Sequence, residues 1–295
     1  MTPSNDLLHR FMFDEYDIRG EVVTLGDSYR EVMQNNPYAT SVKHLLGEFL
    51  AAASLLSSTL KFDGMIILQA RGNGPISTIM AECSNHKNLR GIVRLNPDIE
   101  LTEAQQQSAD MQTLLGEGVL AITIEPKRGE RYQGIVPMDS ARLAGCLEHY
   151  FHQSEQLPTR LWFAADGAHA SGLLLQALPR QVNTSQEDNE DQWETLSALA
   201  DTLSDDELLN LDHETLLYRL FHEHQVRLFD PSALTFSCSC SRERTGNALV
   251  SIGRDEVEKL LVENGHIDVD CQFCNQHYHF DAAAVRALFG DTTLH

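Results

Sequence analysis

Four of the chain's six cysteines fall in its last sixty residues, as Cys238-x-Cys240 and Cys271-x2-Cys274 with thirty residues between the pairs. No other feature constrains the fold as tightly. Two close pairs separated by a helix-sized insert can converge four sulfurs on one tetrahedral Zn2+, with Zn–S bonds of about 2.3 Å and no open position. A segment of sixty residues holds itself together poorly, and ligation in comparable zinc modules contributes roughly 10 to 16 kcal/mol of folding free energy. The expectation is therefore a small metal-held module that begins near Phe236. Within it CQFCNQHYHF has the look of a zinc-knuckle turn, and His266, His277 and His279 are rival ligands. With four thiols at hand, Cys238, Cys240, Cys271 and Cys274 are expected to hold one Zn2+ per chain, and the histidines to be surface or strand residues. Cys83 and Cys146 stand alone, on a predicted strand and a predicted helix, and read as small buried hydrophobes.

The rest of the chain, which has 295 residues, is long enough to bury a sizeable core without disulfides. Its first thirty residues show no uninterrupted apolar h-region and no small-residue cleavage site, and no stretch reaches the roughly 18 apolar residues of a membrane span. A cytoplasmic location follows as an expectation, and reduced thiols with it. The net charge of −21 opposes phosphate backbones and anionic lipid, so neither nucleic acid nor membrane is an expected partner. The largest basic groups, Arg242 with Arg244 and Lys127 with Arg128 and Arg131, read as turns with solvated charges.

The predicted fold class is α+β: an N-terminal mixed domain with a largely antiparallel sheet and packed helices (1–179), a helical linker (180–235) and the small zinc-binding domain (236–295). Residues 42–60 place Leu45, Leu46, Phe49, Ala53 and Leu56 on one face of a buried helix, with Thr40 and Ser41 as caps. Strands are expected at 64–70, 76–82, 89–95, 119–125, 131–138, 160–165 and 172–178, joined by short turns that favour antiparallel pairing. A helix is expected at 140–154. RGNGP (71–75) could suggest phosphate binding, but it precedes a strand and lacks the P-loop lysine, so it reads as a tight hairpin turn.

After Pro179 the composition changes. Between 180 and 230 there are thirteen Asp and Glu against three Arg, a net −10. NTSQEDNEDQ (183–192) reads as a flexible link. Helical pattern then resumes, with Trp193, Leu196, Leu199 and Leu203 as one stripe, a Ser204/Glu207 capping box, and Leu216, Leu217, Leu220 and Phe221 as a second stripe. Such short acidic helices depend on docking against something. Helices at 255–264 and 282–289 complete the prediction.

A plain structural zinc site is one reading of the cysteines. Against it, four thiolates around Zn2+ leave a formal charge of −2 and stay nucleophilic toward oxidants. Cys271 and Cys274 have the spacing of thiol–disulfide exchange motifs, whereas Cys238 and Cys240 can pair only in a tight, strained ring. Moving a two-state element from 1:99 to 99:1 takes about 5.5 kcal/mol, well within what loss of a zinc site releases. A zinc-ribbon adaptor and a metalloenzyme are the rival classes. The net charge weighs against the first for nucleic acid, and the closed ligand shell against the second.

In FMFDEYDIRGEVVTL, LKFDGMIILQARGNGPI, GERYQGIVPM, SEQLPTRLW, LLYRLFHEHQVRLFDP, CSCSRER and CQFCNQHYHF, taken in order, the chain resembles the Hsp33 family of redox-regulated chaperones. The resemblance implies an ATP-independent holdase rather than an enzyme, inactive while reduced and zinc-bound. It implies that Cys238, Cys240, Cys271 and Cys274 ligate Zn2+ and that oxidation forms the disulfides Cys238–Cys240 and Cys271–Cys274, the latter read as the first sensor pair. It further implies that the zinc is then lost, that 180–235 unfolds as a metastable switch, and that a reduced monomer becomes an oxidised homodimer. The N-terminal domain would carry client binding and dimerisation, and the partners would be unfolding client proteins.

Overall fold

The computed structural model describes residues 6–34, 36–107, 110–179 and 186–290. They form two compact units, Met1–Ser237 and Cys238–His295.

The first unit opens with β1 (Leu7–Phe13), β2 (Ile18–Leu25), α1 (Asp27–Gln34), α2 (Thr40–Thr59), β3 (Gly64–Gly72), β4 (Ile76–Ser84) and β5 (Asn88–Leu95). It continues through α3 (Glu103–Gln107), α4 (Met111–Leu115), β6 (Gly118–Pro126), β7 (Tyr132–Pro137), α5 (Leu143–Tyr150), a π-helical turn at Phe151–Glu155, β8 (Thr159–Ala165) and β9 (Ala170–Ala177). It closes with α6 (Gln186–Ala200), α7 (Asp205–Asn210), α8 (His213–Phe221), β10 (Val226–Leu228), β11 (Ser232–Ala233) and β12 (Thr235–Phe236). The architecture is α+β with two largely antiparallel sheets where one was expected. One runs β10-β1-β2-β9-β8 with β11 also on β1, and the other runs β12-β5-β4-β3-β6-β7. Among the described residues, only β12 on β5 is a parallel pairing.

α2 lies between the sheets, which is why 14 of its 20 residues are buried and why its apolar positions run around the cylinder instead of along one stripe. The predicted face is buried, but the predicted caps are not caps. Ala39 occupies the N-cap position without a side-chain bond, and Thr40 and Ser41 are already helical.

The β10-β1-β2-β9-β8 sheet is apolar on both faces. Leu8, Val23, Leu25, Leu161, Ala170 and Leu174 point at α2, while Phe11, Phe13, Ile18, Val22, Leu173 and Leu175 point the other way. The two sets alternate along each strand, as the period of 2 requires. Gly20 sits opposite Phe11, and a Cβ there would lie 2.0 Å from the Phe11 ring, so the glycine is what lets that ring lie flat on the sheet.

The second face is covered by α6, α7 and α8, which bury Leu196, Ala200, Leu208, Leu216, Leu217, Leu220 and Phe221 against it. Both predicted stripes thus find their docking surface, and Trp193, Leu199 and Leu203 flank it. The Ser204/Glu207 capping box is formed, with Ser204 N–H donating to Glu207 Oε2 at 3.2 Å and Glu207 N–H to Ser204 Oγ at 3.3 Å. The flexible-link reading of NTSQEDNEDQ is corrected in part. Gln186–Gln192 belong to α6, because propagating a helix already anchored by Leu196 and Ala200 overrides local polarity. Residues 183–185 lie outside the described residues.

RGNGP behaves as a hairpin turn. Gly74 N–H donates to Leu115 C=O at 2.8 Å and Asn73 N–H to Glu117 C=O at 3.1 Å, so these amides are committed to backbone rather than open to a phosphate. Cys83 on β4 and Cys146 on α5 are fully buried, and burial pushes the Cys83 thiol up to about 12. No described helix is long and apolar enough to cross a membrane.

Candidate metal centre

The second unit contains α9 (Arg242–Ile252), α10 (Arg254–Asn264), β13 (His266–Asp270), β14 (His277–Asp281) and α11 (Ala282–Leu288). Its core is small: among the described residues, Leu249, Val257, Ile267, Phe280 and Val285 are the buried apolar ones. Five such side chains are few to offset the ordering of about 50 residues.

The two cysteine pairs sit on different local devices. β13 and β14 form an antiparallel hairpin, and Cys271 and Cys274 lie in its connection. Cys271 N–H donates to Gln276 C=O at 2.9 Å and Asn275 N–H to Cys271 C=O at 2.7 Å, and Asn275 takes a φ of 54°. This is the turn expected from CQFCNQHYHF. Cys238 and Cys240 lie just before α9, whose N-cap is Ser241, accepting from Arg244 N–H at 3.1 Å. A helix N-terminus next to the thiols favours their anionic form.

All four sulfurs lie within 4.8 Å of one another, with Cys238 Sγ 3.6 Å from Cys271 Sγ and Cys240 Sγ 3.3 Å from Cys274 Sγ. A tetrahedron with Zn–S bonds of about 2.3 Å has edges of about 3.8 Å. The set therefore fits one ion, and an all-thiol donor set suits Zn2+. These four residues could hold it with no position left open. For Cys240 burial works to raise the thiol, but the Tyr278 hydroxyl and the neighbouring sulfurs outweigh it and bring it down to about 7. Tyr278 O–H donates to Cys240 Sγ at 3.1 Å. Burial pushes the Cys274 and Cys238 thiols up in the absence of a cation, and a bound cation would reverse that by holding all four as thiolates.

Arg242 and Arg244, expected to be solvated turn charges, are exposed and also bind neighbouring backbone. Arg244 Nη1 donates to Ser239 C=O at 3.0 Å and to Ser239 Oγ at 2.6 Å, bracing the residue between the first two cysteines. Arg242 Nη1 donates to His279 C=O at 2.6 Å, with its guanidinium 4.4 Å from the Phe280 ring centroid. Sequence reading missed these roles and that of Tyr278. The signal was present in the alternation of HYHF, which puts Tyr278 and Phe280 on the inner face of β14 and His277 and His279 on the outer face. The histidines are exposed strand residues, as expected, and none joins the sulfur cluster.

Comparison with known proteins settles the family. A family model described as Hsp33 protein matches residues 6–281. The chain belongs to the Hsp33 family. Among Hsp33 relatives, the 33 kDa chaperonin of Pseudomonas paraeruginosa is 53% identical over 97% of this chain and 95% of its own length. That of Ectopseudomonas mendocina is 52% identical with the same coverage. The crystal structure of the 33 kDa chaperonin from Thermotoga maritima shares the fold, with a TM-score of 0.83 over 97% of this chain and 98% of that one at 24% identity. Hsp33 proteins are chaperones by name, and the chain is accordingly not an enzyme.

Proposed function

We propose that this chaperone is an ATP-independent holdase of the bacterial cytoplasm, held inactive by a reduced zinc centre at Cys238, Cys240, Cys271 and Cys274 and switched on by oxidation. The observation that carries the reading is the convergence of four thiols at zinc-fitting distances within a unit that has, among its described residues, five buried apolar side chains. When bound, Zn2+ would keep the sulfurs deprotonated and contribute much of the folding free energy of that unit.

Oxidation acts on the cysteines. Each pair, Cys238 with Cys240 and Cys271 with Cys274, gives up two electrons as one S–S bond forms, while one peroxide is reduced to two waters. The products lack the thiolates on which ligation depends, so the second unit loses its main stabilisation. Just before Cys238 runs β12, a two-residue strand, preceded by β11 of two residues and β10 of three. α6, α7 and α8 are 15, 6 and 9 residues long, below or near the length at which an isolated helix is marginal. Their −10 environment adds self-repulsion. Undocking of 180–235 would bare Phe11, Phe13, Ile18, Val22, Leu173 and Leu175, a contiguous apolar sheet face suited to unfolding clients. The same exposure favours a homodimer in the oxidised state over a monomer in the reduced one.

Peroxide with mild heat, or hypochlorite, is expected to release one zinc per chain, form two disulfides and turn on suppression of client aggregation. Unchanged zinc content on oxidation, or full activity in the reduced protein, would contradict the reading.

A further inference from the structure

The outer face of the β13–β14 hairpin has a composition that the cysteine centre does not explain. Strand alternation sends Ile267, Val269, Tyr278 and Phe280 inward. His266, Asp268, Asp270, His277, His279 and Asp281 are left on the exposed side. Six consecutive outward positions thus hold three imidazoles and three carboxylates, with no apolar residue, lysine or arginine among them. The register pairs them across the hairpin as His266 with Asp281, Asp268 with His279 and Asp270 with His277.

Their donor atoms converge on Asp268. His279 Nδ1 lies 2.6 Å from Asp268 Oδ1, His266 Nε2 lies 3.1 Å from Asp268 Oδ2, and His277 Nε2 lies 3.4 Å from Asp268 Oδ1. The donors of His266, Asp268 and His279 all fall within 4.8 Å of one another. Adjacent donors around an ion with bonds of about 2.0 to 2.1 Å stand roughly 2.9 to 3.4 Å apart, from octahedral to tetrahedral geometry. The hairpin already presents close to that spacing. His277 is oriented by Asp270, whose Oδ1 lies 2.8 Å from His277 Nδ1, the carboxylate–imidazole arrangement that fixes the ring of a metal ligand.

We propose that the outer face of the β13–β14 hairpin is a second, thiol-free site for an imidazole-seeking divalent ion, with His266, Asp268 and His279 as ligands and His277 beside them. Two imidazoles with a carboxylate select the Zn2+, Ni2+ and Cu2+ group over Mg2+ and Ca2+, which take oxygen donors. No donor is oxidisable as a thiol is, so the ligands of this site are distinct from the four cysteines, although the hairpin that carries them belongs to the same unit.

The test is equilibrium dialysis of the full-length reduced protein, as purified, against Ni2+. Nickel and zinc are measured by mass spectrometry, and thiolate-to-nickel absorption is followed in the near ultraviolet. The expected result is one Ni2+ per chain bound without thiolate absorption and without loss of zinc. His266→Ala with His279→Ala should abolish it, and Asp268→Asn should weaken it at least about tenfold. These residues are exposed, so retained zinc and an unchanged circular dichroism spectrum would show that the variants fold. No added Ni2+, equal binding by the double variant, or binding accompanied by thiolate absorption would overturn the proposal. None of those results bears on whether the cysteines are a redox centre.

Discussion

At the scale of single residues, the thiol cluster is tuned by a side chain outside it. Tyr278 donates to Cys240 Sγ and helps to hold that thiol near 7 against the effect of burial. Tyr278→Phe removes the donor, raises the thiol and sharpens competition between protons and metal. Zinc affinity is expected to fall about tenfold at neutral pH and further at lower pH, read by competition with a chromophoric chelator. An affinity equal to that of the unmodified protein at both pH values would remove Tyr278 from the tuning. Glu21 offers a test in the first unit. It is 1% exposed, and burial raises its carboxyl to about 7, only partly opposed by the Ser58 hydroxyl that donates to it. A carboxyl raised in the folded state costs nothing below the unfolded value near 4.5, where both states are protonated. The cost then grows as pH rises to about 7 and is complete above it. Glu21→Gln should therefore leave stability unchanged at pH 4 and raise it at pH 7.5 by up to about 3 kcal/mol, measured by urea unfolding.

At the scale of elements, α8 is where the covering helices meet a titratable contact. His213, its first residue, is 8% exposed, with Nδ1 2.7 Å from His9 Nδ1 on β1 and Nε2 2.9 Å from Thr24 Oγ1 on β2. Burial first and the neighbouring His9 second lower His213 to about 4, against the opposing pull of Asp212, and burial lowers His9 against that of Glu214. For a histidine depressed by folding, the contribution to docking is complete above the unfolded value near 6.5. It is lost as pH falls toward 4, by roughly 3 kcal/mol in all. Hydrogen exchange of the α8 amides should accelerate across that window, and His213→Leu should flatten the response; acceleration of equal size in the variant would place the pH sensitivity elsewhere. The helices themselves were legible because Leu196, Leu216, Leu217, Leu220 and Phe221 recur at helical spacing and Ser204 with Glu207 spells a cap. The strands at 226–228, 232–233 and 235–236 were not, since two or three residues cannot display a period. α9 was hidden too, because only Gly246 and Leu249 of its eleven residues are buried and no apolar stripe forms.

At the scale of the whole molecule, the two units rest on unlike foundations. The first has a core around α2 and a second apolar layer under α6–α8, whereas the second unit has, among its described residues, five buried apolar ones and a cluster of four thiols. The four-thiol cluster could be anticipated from sequence because the spacing within each cysteine pair is local. The apolar face under α6–α8 could not, because it is assembled from strands distant in sequence, β1, β2, β8 and β9. The contrast predicts two calorimetric transitions in the reduced, zinc-loaded chain. At about 0.7 kcal/mol per residue, the unit of 58 residues contributes an unfolding enthalpy near 40 kcal/mol and the larger one several times that. Chelation with the thiols kept reduced should abolish the small transition and leave the large one, since no part of the α2 core depends on the metal. Oxidation should abolish the small transition too, and should also lower the enthalpy of the large one as α6–α8 leave the sheet, with a matching rise in binding of an apolar dye. A single transition that ignores the chelator would show that the second unit is not metal-held. An intact large transition after oxidation would show that its helices stay docked, and the proposed link between cysteine chemistry and the apolar face would fail at that step.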